Sequence, residues 1–130
     1  MQANAIEDRL RILVVEDDPL NQILCQEMLE ALGHSAVVAT DGEAALKMLD
    51  REKVDLVLMD RRLPGIDGWA ATRRWRQQEQ LRGLATLPVV GLSGDSTPKD
   101  RDSALAAGLN DLIAKPFSMD DLRQIIRRWL

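Results

Sequence analysis

The sequence predicts a small doubly wound α/β sandwich. Short β-branched or Leu-rich runs alternate with longer segments of helical spacing, five of each within about 120 residues. In addition, the runs at 12–15 and 56–59 are apolar at consecutive positions. Strands of that kind must be covered on both faces, which a parallel sheet flanked by helices provides.

The first run, Arg11–Val15, leads into a helix near Leu20–Leu32, entered through Asp18-Pro19 and left at Gly33. Leu20, Leu24, Met28 and Leu32 recur once per turn and mark its expected buried stripe. Ala36–Ala39 is the second strand and Gly42–Arg51 the second helix. Asp55–Met59 precedes a helix at Gly68–Gln80, in which Trp75 takes the inner spacing and Trp69, nearer the loop, is expected half exposed. Gln77–Gly83 and Ser93–Thr97 are the expected loop regions, on either side of the strand Pro88–Leu92. The fourth helix, Pro98–Ala107, opens with Thr97-Pro98-Lys99-Asp100, a capping box with a first-turn proline, and closes at Gly108. After the strand Asp111–Ala114, the helix Met119–Trp129 places Leu122, Ile125, Ile126 and Trp129 on one stripe. Residues 1–9 are polar and read as an N-terminal tail, with one domain over 10–130.

Composition narrows the function. The chain has 130 residues, 45% apolar, with 21 acids against 17 bases and a net charge of -4. That balance argues against a groove tracking nucleic-acid backbone, and three Trp and one Phe are too few for a base-stacking platform. One Cys cannot form an internal disulfide, and one His with one Cys cannot build a standard zinc cage. The apolar stretches are too short for a membrane span or a secretory signal, so a compact cytoplasmic domain is expected.

In an open parallel sheet, ligands sit beyond the carboxyl ends of the strands. Glu16, Asp17 and Asp18 follow the first strand, and Asp60, Arg61 and Arg62 the third. Ser93-Gly94-Asp95 follow the fourth, and Lys115-Pro116 the fifth. Acids, a hydroxyl and an ammonium thus converge on one rim from positions scattered over a hundred residues. Each close carboxylate pair costs about 4 kcal/mol at 4 Å with an effective dielectric near 20. Either the acids bind protons more tightly or a cation sits among them, and all-oxygen donors with room for water suit Mg²⁺. Carboxylate, Mg²⁺, Lys and hydroxyl together form a phosphoryl-transfer arrangement.

These residues carry a resemblance to the response-regulator receiver domain, the phospho-accepting module of two-component signalling. It runs from about Leu10 to Leu130 and rests on RILVVEDDPLNQ, LVLMDRRLPGIDG, VVGLSGDS and AAGLNDLIAKPF, in order and with compatible gaps. The resemblance implies a flavodoxin-like strand order 2-1-3-4-5, which is the family's and is not read from this sequence. It implies that Asp60 is the phosphorylated aspartate and that Asp17 ligates Mg²⁺ directly, with Mn²⁺ as a substitute. Glu16 would act through water, and the Arg62 backbone carbonyl would be the remaining protein ligand. Ser93 matches the hydroxyl that bonds the phosphoryl group, Lys115 the lysine that pairs with it, and Lys115–Pro116 a cis peptide. Pro64, Gly65 and Gly68 match the loop leading from the site into the third helix.

Two departures stand out. Where relatives often carry an aromatic that turns inward on activation, this chain has Leu112, and it has no Tyr. Asp60 is followed by Arg61 and Arg62, and Arg62 is expected to pair with Asp95 across the pocket and screen the acyl phosphate from water. Asp18 reads as a helix cap, His34 as structural, and Cys25 as a small core hydrophobe. Arg73, Arg74 and Arg76, like Arg123, Arg127 and Arg128, read as solvated helix faces.

The expected function is acceptance of a phosphoryl group from a phosphohistidine onto Asp60, in a two-component system or phosphorelay. Asn21-Gln22 resembles receivers attached to hybrid histidine kinases. The expected partner is therefore a histidine kinase or histidine phosphotransfer domain, with the receiver a monomer or weak dimer that touches neither nucleic acid nor membrane. It would be a signalling module that speeds its own phosphorylation and dephosphorylation; any kinase activity would lie in a domain outside this chain. Two other readings stay open: a degenerate receiver that binds a partner without phosphorylation, and an aspartyl phosphatase of another fold, which the lack of an Asp two residues after Asp60 disfavours.

Overall fold

A computed structural model describes residues 9–94 and 97–130. Residues 1–8 of the expected tail, and Asp95 of the expected Arg62 pair, lie outside the described residues. Five strands and five helices alternate: β1 (Arg11–Val15), α1 (Pro19–Ala31), β2 (Ser35–Ala39), α2 (Gly42–Arg51), β3 (Leu56–Asp60), α3 (Gly68–Arg82), β4 (Val89–Ser93), α4 (Pro98–Ala106), β5 (Asp111–Ala114) and α5 (Met119–Trp129). All pairings are parallel and the sheet order is β2-β1-β3-β4-β5, the doubly wound order expected from the resemblance.

The consecutive apolar positions are explained by two cores. Ile12, Val14, Leu56 and Leu58 face one layer, built by α1 and α5 through Cys25, Leu29, Leu122, Ile125 and Ile126. Leu13, Val15, Val57 and Met59 face the other, built by α2, α3 and α4 through Ala45, Leu49, Trp69, Trp75 and Ala104. Successive strand residues point to opposite faces, so strands buried on both sides have no polar alternation.

Several expectations are corrected. In α1 the buried stripe is Cys25 and Leu29, with Met28 and Leu32 only partly covered. Leu20 and Leu24 are 71% and 55% exposed, and Ile23 beside them 52%. The apolar positions of α1 are wider than the face the sheet covers, so one edge of the stripe faces water. Gln77–Arg82 is helix rather than loop, with α3 ending at Gly83 in the left-handed conformation (φ 66°). Trp69 is 1% exposed, not half exposed. Its ring packs over Gly91, where an added Cβ would fall 2.7 Å from it, and Arg61 lies 5.1 Å above its centroid. Arg76 is not a solvated arginine. It donates to the Gly108 carbonyl (2.9 Å), to Asn110 Oδ1 (2.8 Å) and to both Glu79 oxygens (2.9 and 3.0 Å), tying α3 to the turn before β5. Arg73 is exposed, as expected, and Arg74 pairs with Glu43 at the surface.

Asp18 caps α1 by accepting from Leu20 N (3.0 Å), and His34 Nδ1 accepts from Leu10 N (3.1 Å) in a structural role. Cys25 is buried, and burial first, with the Glu16 charge, pushes its thiol up to about 11. Trp75 lies in the core, whereas Trp129 is half-buried at the edge of α5.

Candidate functional site

The carboxyl ends of β1, β3, β4 and β5 bring the rim residues together. Glu16 follows β1 directly and is buried, and its backbone N–H donates to Ala39 O (3.0 Å). Gln22, one turn into α1, donates to the Glu16 carbonyl (2.7 Å), a support the sequence did not reveal. Asp17 is exposed beside it, and Asp60, the last residue of β3, is buried. Carboxylate oxygens of Glu16, Asp17 and Asp60 all lie within 4.8 Å of one another.

Lys115 bridges two of these acids, with Nζ 3.1 Å from Glu16 Oε1 and 3.1 Å from Asp60 Oδ2. The Lys115 N–H donates to Ser93 O (2.7 Å), and the Lys115–Pro116 peptide is cis, as expected. Burial pushes the Glu16 carboxyl above its ordinary value and the Asp60 charge adds to this, against the Asp18 N–H and Lys115. Burial works to lower the Lys115 ammonium, but Asp60 and Glu16 outweigh it and hold the proton more tightly than usual. The site thus binds its positive charge firmly.

A cleft of about 790 Å³ opens beside Asp60, lined by Arg61, Arg62, Ser93, Gly94, Asp100 and Lys115 among others. Arg62 is exposed on its lip. Ser93, at the end of β4, is buried and donates its hydroxyl to Asp100 Oδ2 (3.2 Å). Arg61 Nη1 donates to the other oxygen of the same carboxylate (3.0 Å), and Nη2 lies 3.4 Å from the Ser103 hydroxyl. Of the expected capping box of α4, the hydroxyl half forms, with Asp100 N donating to Thr97 Oγ1 (3.1 Å). The Asp100 carboxylate turns instead to Arg61 and Ser93. This role was not legible, because it depends on two residues 39 and 7 positions away.

The entry to α3 is fixed by close approach. Gly68 N donates to Arg61 O (2.8 Å), and a Cβ at Gly68 would fall 1.9 Å from Asp60 O. No other residue fits there without moving the strand end that carries Asp60. Leu112 is buried on the α3–α4 side, opposite Gly91 in the β4–β5 register, where it shares the space over Gly91 with Trp69 and Leu109. The interior beside Leu112 is thus already filled by an indole from α3.

A family model for the response regulator receiver domain matches residues 12–127. The chain belongs to that family. As a receiver it is 38% identical over 119 residues, 92% of its length, to the sensor protein GacS of Pseudomonas syringae pv. syringae. It spans 13% of that protein's length. It is 40% identical, with a TM-score of 0.83, to the receiver domain of sensor histidine kinase PA1611 from Pseudomonas aeruginosa PAO1, covering 93% of this chain and 97% of that one. That structure has a magnesium ion coordinated in its active-site cleft. The receiver of the Saccharomyces cerevisiae response regulator Ssk1, solved with the histidine phosphotransfer protein Ypd1, is 27% identical with a TM-score of 0.88, over 93% of this chain and 88% of that one. Receiver domains of hybrid sensor histidine kinases are therefore among its relatives. No described helix is long and apolar enough to cross a membrane.

Proposed function

We propose that residues 10–130 form a phospho-accepting unit that takes a phosphoryl group from a phosphohistidine onto Asp60. The observation that carries this is the convergence of Glu16, Asp17 and Asp60 within 4.8 Å, with Lys115 bridging two of them. Mutually repelling buried acids cost stability, and a module that only binds a partner has no use for them.

The donor set fits a hard divalent cation: three clustered carboxylates, of which Asp60 also lines the cleft, to which the Arg62 carbonyl would add a further oxygen. Mg²⁺, for which Mn²⁺ could substitute, would be held by Asp17, Asp60 and the Arg62 carbonyl, and through water by Glu16. Bound there, it neutralises charge on the phosphoryl oxygens. An Asp60 carboxylate oxygen attacks phosphorus, the bond to the imidazole nitrogen breaks, and its electron pair returns to that nitrogen. Lys115 moves from pairing with Asp60 to pairing with a phosphoryl oxygen, and the Ser93 hydroxyl donates to another. Hydrolysis or onward transfer returns the carboxylate.

The donor is a histidine kinase or histidine phosphotransfer domain in the cytoplasm. Leu20, Ile23 and Leu24, exposed on α1 next to Glu16 and Asp17, offer an apolar landing for it. Intact mass after incubation with acetyl phosphate and Mg²⁺ tests the reading. A gain of about 80 Da, absent in Asp60→Asn and without Mg²⁺, is expected for one phosphoryl group. No gain, from either acetyl phosphate or a phosphorylated histidine phosphotransfer protein, would favour the phosphorylation-independent binding module.

A further inference from the structure

The Asp100 carboxylate has no part in the phosphoryl transfer proposed above. It lies on the first turn of α4, lines the cleft with Asp60 and Lys115, and has two partners that are not part of its own helix turn. Arg61 Nη1 holds Oδ1 at 3.0 Å, and the Ser93 hydroxyl donates to Oδ2 at 3.2 Å. Arg61 is itself seated on the Trp69 ring, 5.1 Å from its centroid, so the acceptor is anchored to the core rather than waving in solvent.

A serine hydroxyl carries one proton and makes one good donated hydrogen bond at a time. A phosphoryl group on Asp60 would present acceptor oxygens and no donor to Ser93 near neutral pH. Asp100 is likewise an acceptor only. The two anions therefore compete for a single proton, and neither can be satisfied by Ser93 acting as an acceptor. We propose that Asp100 is a positioning residue that holds the Ser93 hydroxyl away from the phosphoryl position, so that Ser93 donates to a phosphoryl group on Asp60 only by giving up its bond to Asp100. Arg61 keeps the released carboxylate paired, which avoids leaving a bare charge in the cleft. The inference rests on the phospho-acceptor reading of Asp60 and adds to it a residue that sets how readily the phosphorylated state is stabilised.

The test uses trifluoroberyllate with Mg²⁺ as a non-hydrolysable stand-in for the phosphoryl group, with bound probe counted by fluorine NMR on the full chain. Asp100→Ala should tighten apparent binding about tenfold, the scale of one charge-assisted hydrogen bond no longer in competition. Asp100→Asn keeps the shape of the side chain and offers a neutral acceptor, so it should fall between parent and alanine variant; it also serves if Asp100→Ala folds poorly. In a Ser93→Ala background, the Asp100 substitutions should change binding less than twofold, because the contested proton is gone. A merely structural role for Asp100 would act equally in both backgrounds, and that outcome overturns the proposal, as does unchanged or weakened binding in Asp100→Asn. Failure of the parent chain to bind the probe at all refutes the phospho-acceptor reading itself, a result distinguishable from the other two.

Discussion

Replacing Asp60 by Asn should stabilise the metal-free protein, although it removes half of an ion pair. Glu16 and Asp17 each place a carboxylate oxygen within 4.8 Å of one on Asp60. At an effective dielectric near 20, each such pair repels by about 3.5 kcal/mol or more. Lys115 attracts Asp60 across 3.1 Å, worth about 5 kcal/mol on the same scale. Removing the Asp60 charge thus removes about 7 kcal/mol of repulsion for about 5 kcal/mol of attraction. Lys115 keeps Glu16 at 3.1 Å, so no ammonium is stranded. Asp17 is exposed and its share is screened, which brings the expected net gain to about 1 kcal/mol. For a domain of this size that is a rise in Tm of about 3–5 °C. Urea unfolding of parent and variant at pH 7 in EDTA reads the effect as a shift in midpoint at unchanged slope. Added Mg²⁺ should then raise the parent's midpoint by mass action and the variant's much less, closing or reversing the gap. An Asp60→Asn protein less stable than the parent in EDTA would refute the reasoning, since the Lys115 attraction would then outweigh the carboxylate repulsion.

Two further outcomes follow from the same geometry. Gly68→Ala should cost about 3 kcal/mol or more in urea unfolding, because its methyl group meets the Asp60 carbonyl at 1.9 Å and only backbone can yield; a loss under 1 kcal/mol would mean that α3 docks less rigidly than described. Asp111 is buried and accepts from Arg101 (3.3 Å), Arg128 (2.9 Å), Trp129 Nε1 (3.0 Å) and Leu112 N (2.8 Å), pinning α4, β5 and α5 together. Burial works to raise this carboxyl, but Trp129, the Leu112 N–H and the two arginines outweigh it and hold it below its ordinary 3.8. The stability it contributes is therefore present above pH 3.8 and lost as pH falls through the lowered native value. Asp111→Asn should cost about 2 kcal/mol at pH 7, and its deficit against the parent should shrink below pH 3.8; a deficit constant with pH would disprove the charge's role.

What the sequence disclosed, and what it hid, divide along a physical line. Strand and helix order was legible because burial on both faces leaves consecutive apolar runs such as Ile12–Val15, and because Asp18, Gly33 and Gly108 mark helix ends chemically. The acidic rim was legible because parallel topology sends every strand's carboxyl end to the same side. Apart from the loop expected at Gln77–Gly83, where α3 instead continues to Arg82, the failures concern side chains whose surroundings are set by the fold around them. Trp69 looked half exposed until Gly91, on another strand, gave its indole a place to lie. Arg76 looked solvated because Gly108 and Asn110, its acceptors, are 32 and 34 residues away. In α1, periodicity located a stripe but not its edge, since the sheet covers Cys25 and Leu29 and leaves Leu20 and Leu24 in water.

That same line bears on Leu112. By sequence alone, Leu112 argues that any signalling by this chain does not use the inward-turning aromatic that receivers often carry. In the fold, Leu112 is buried and packs with Trp69 and Leu109 over Gly91. The indole is fixed from above by Arg61, and Arg61 is joined through Asp100 to the Ser93 hydroxyl. The hydroxyl that would respond to phosphorylation is therefore linked to a buried aromatic, but through α3 and α4 rather than through β5. On the proposed reading, a Ser93 hydroxyl that turned toward a phosphoryl group would give up its bond to Asp100, on the first turn of α4.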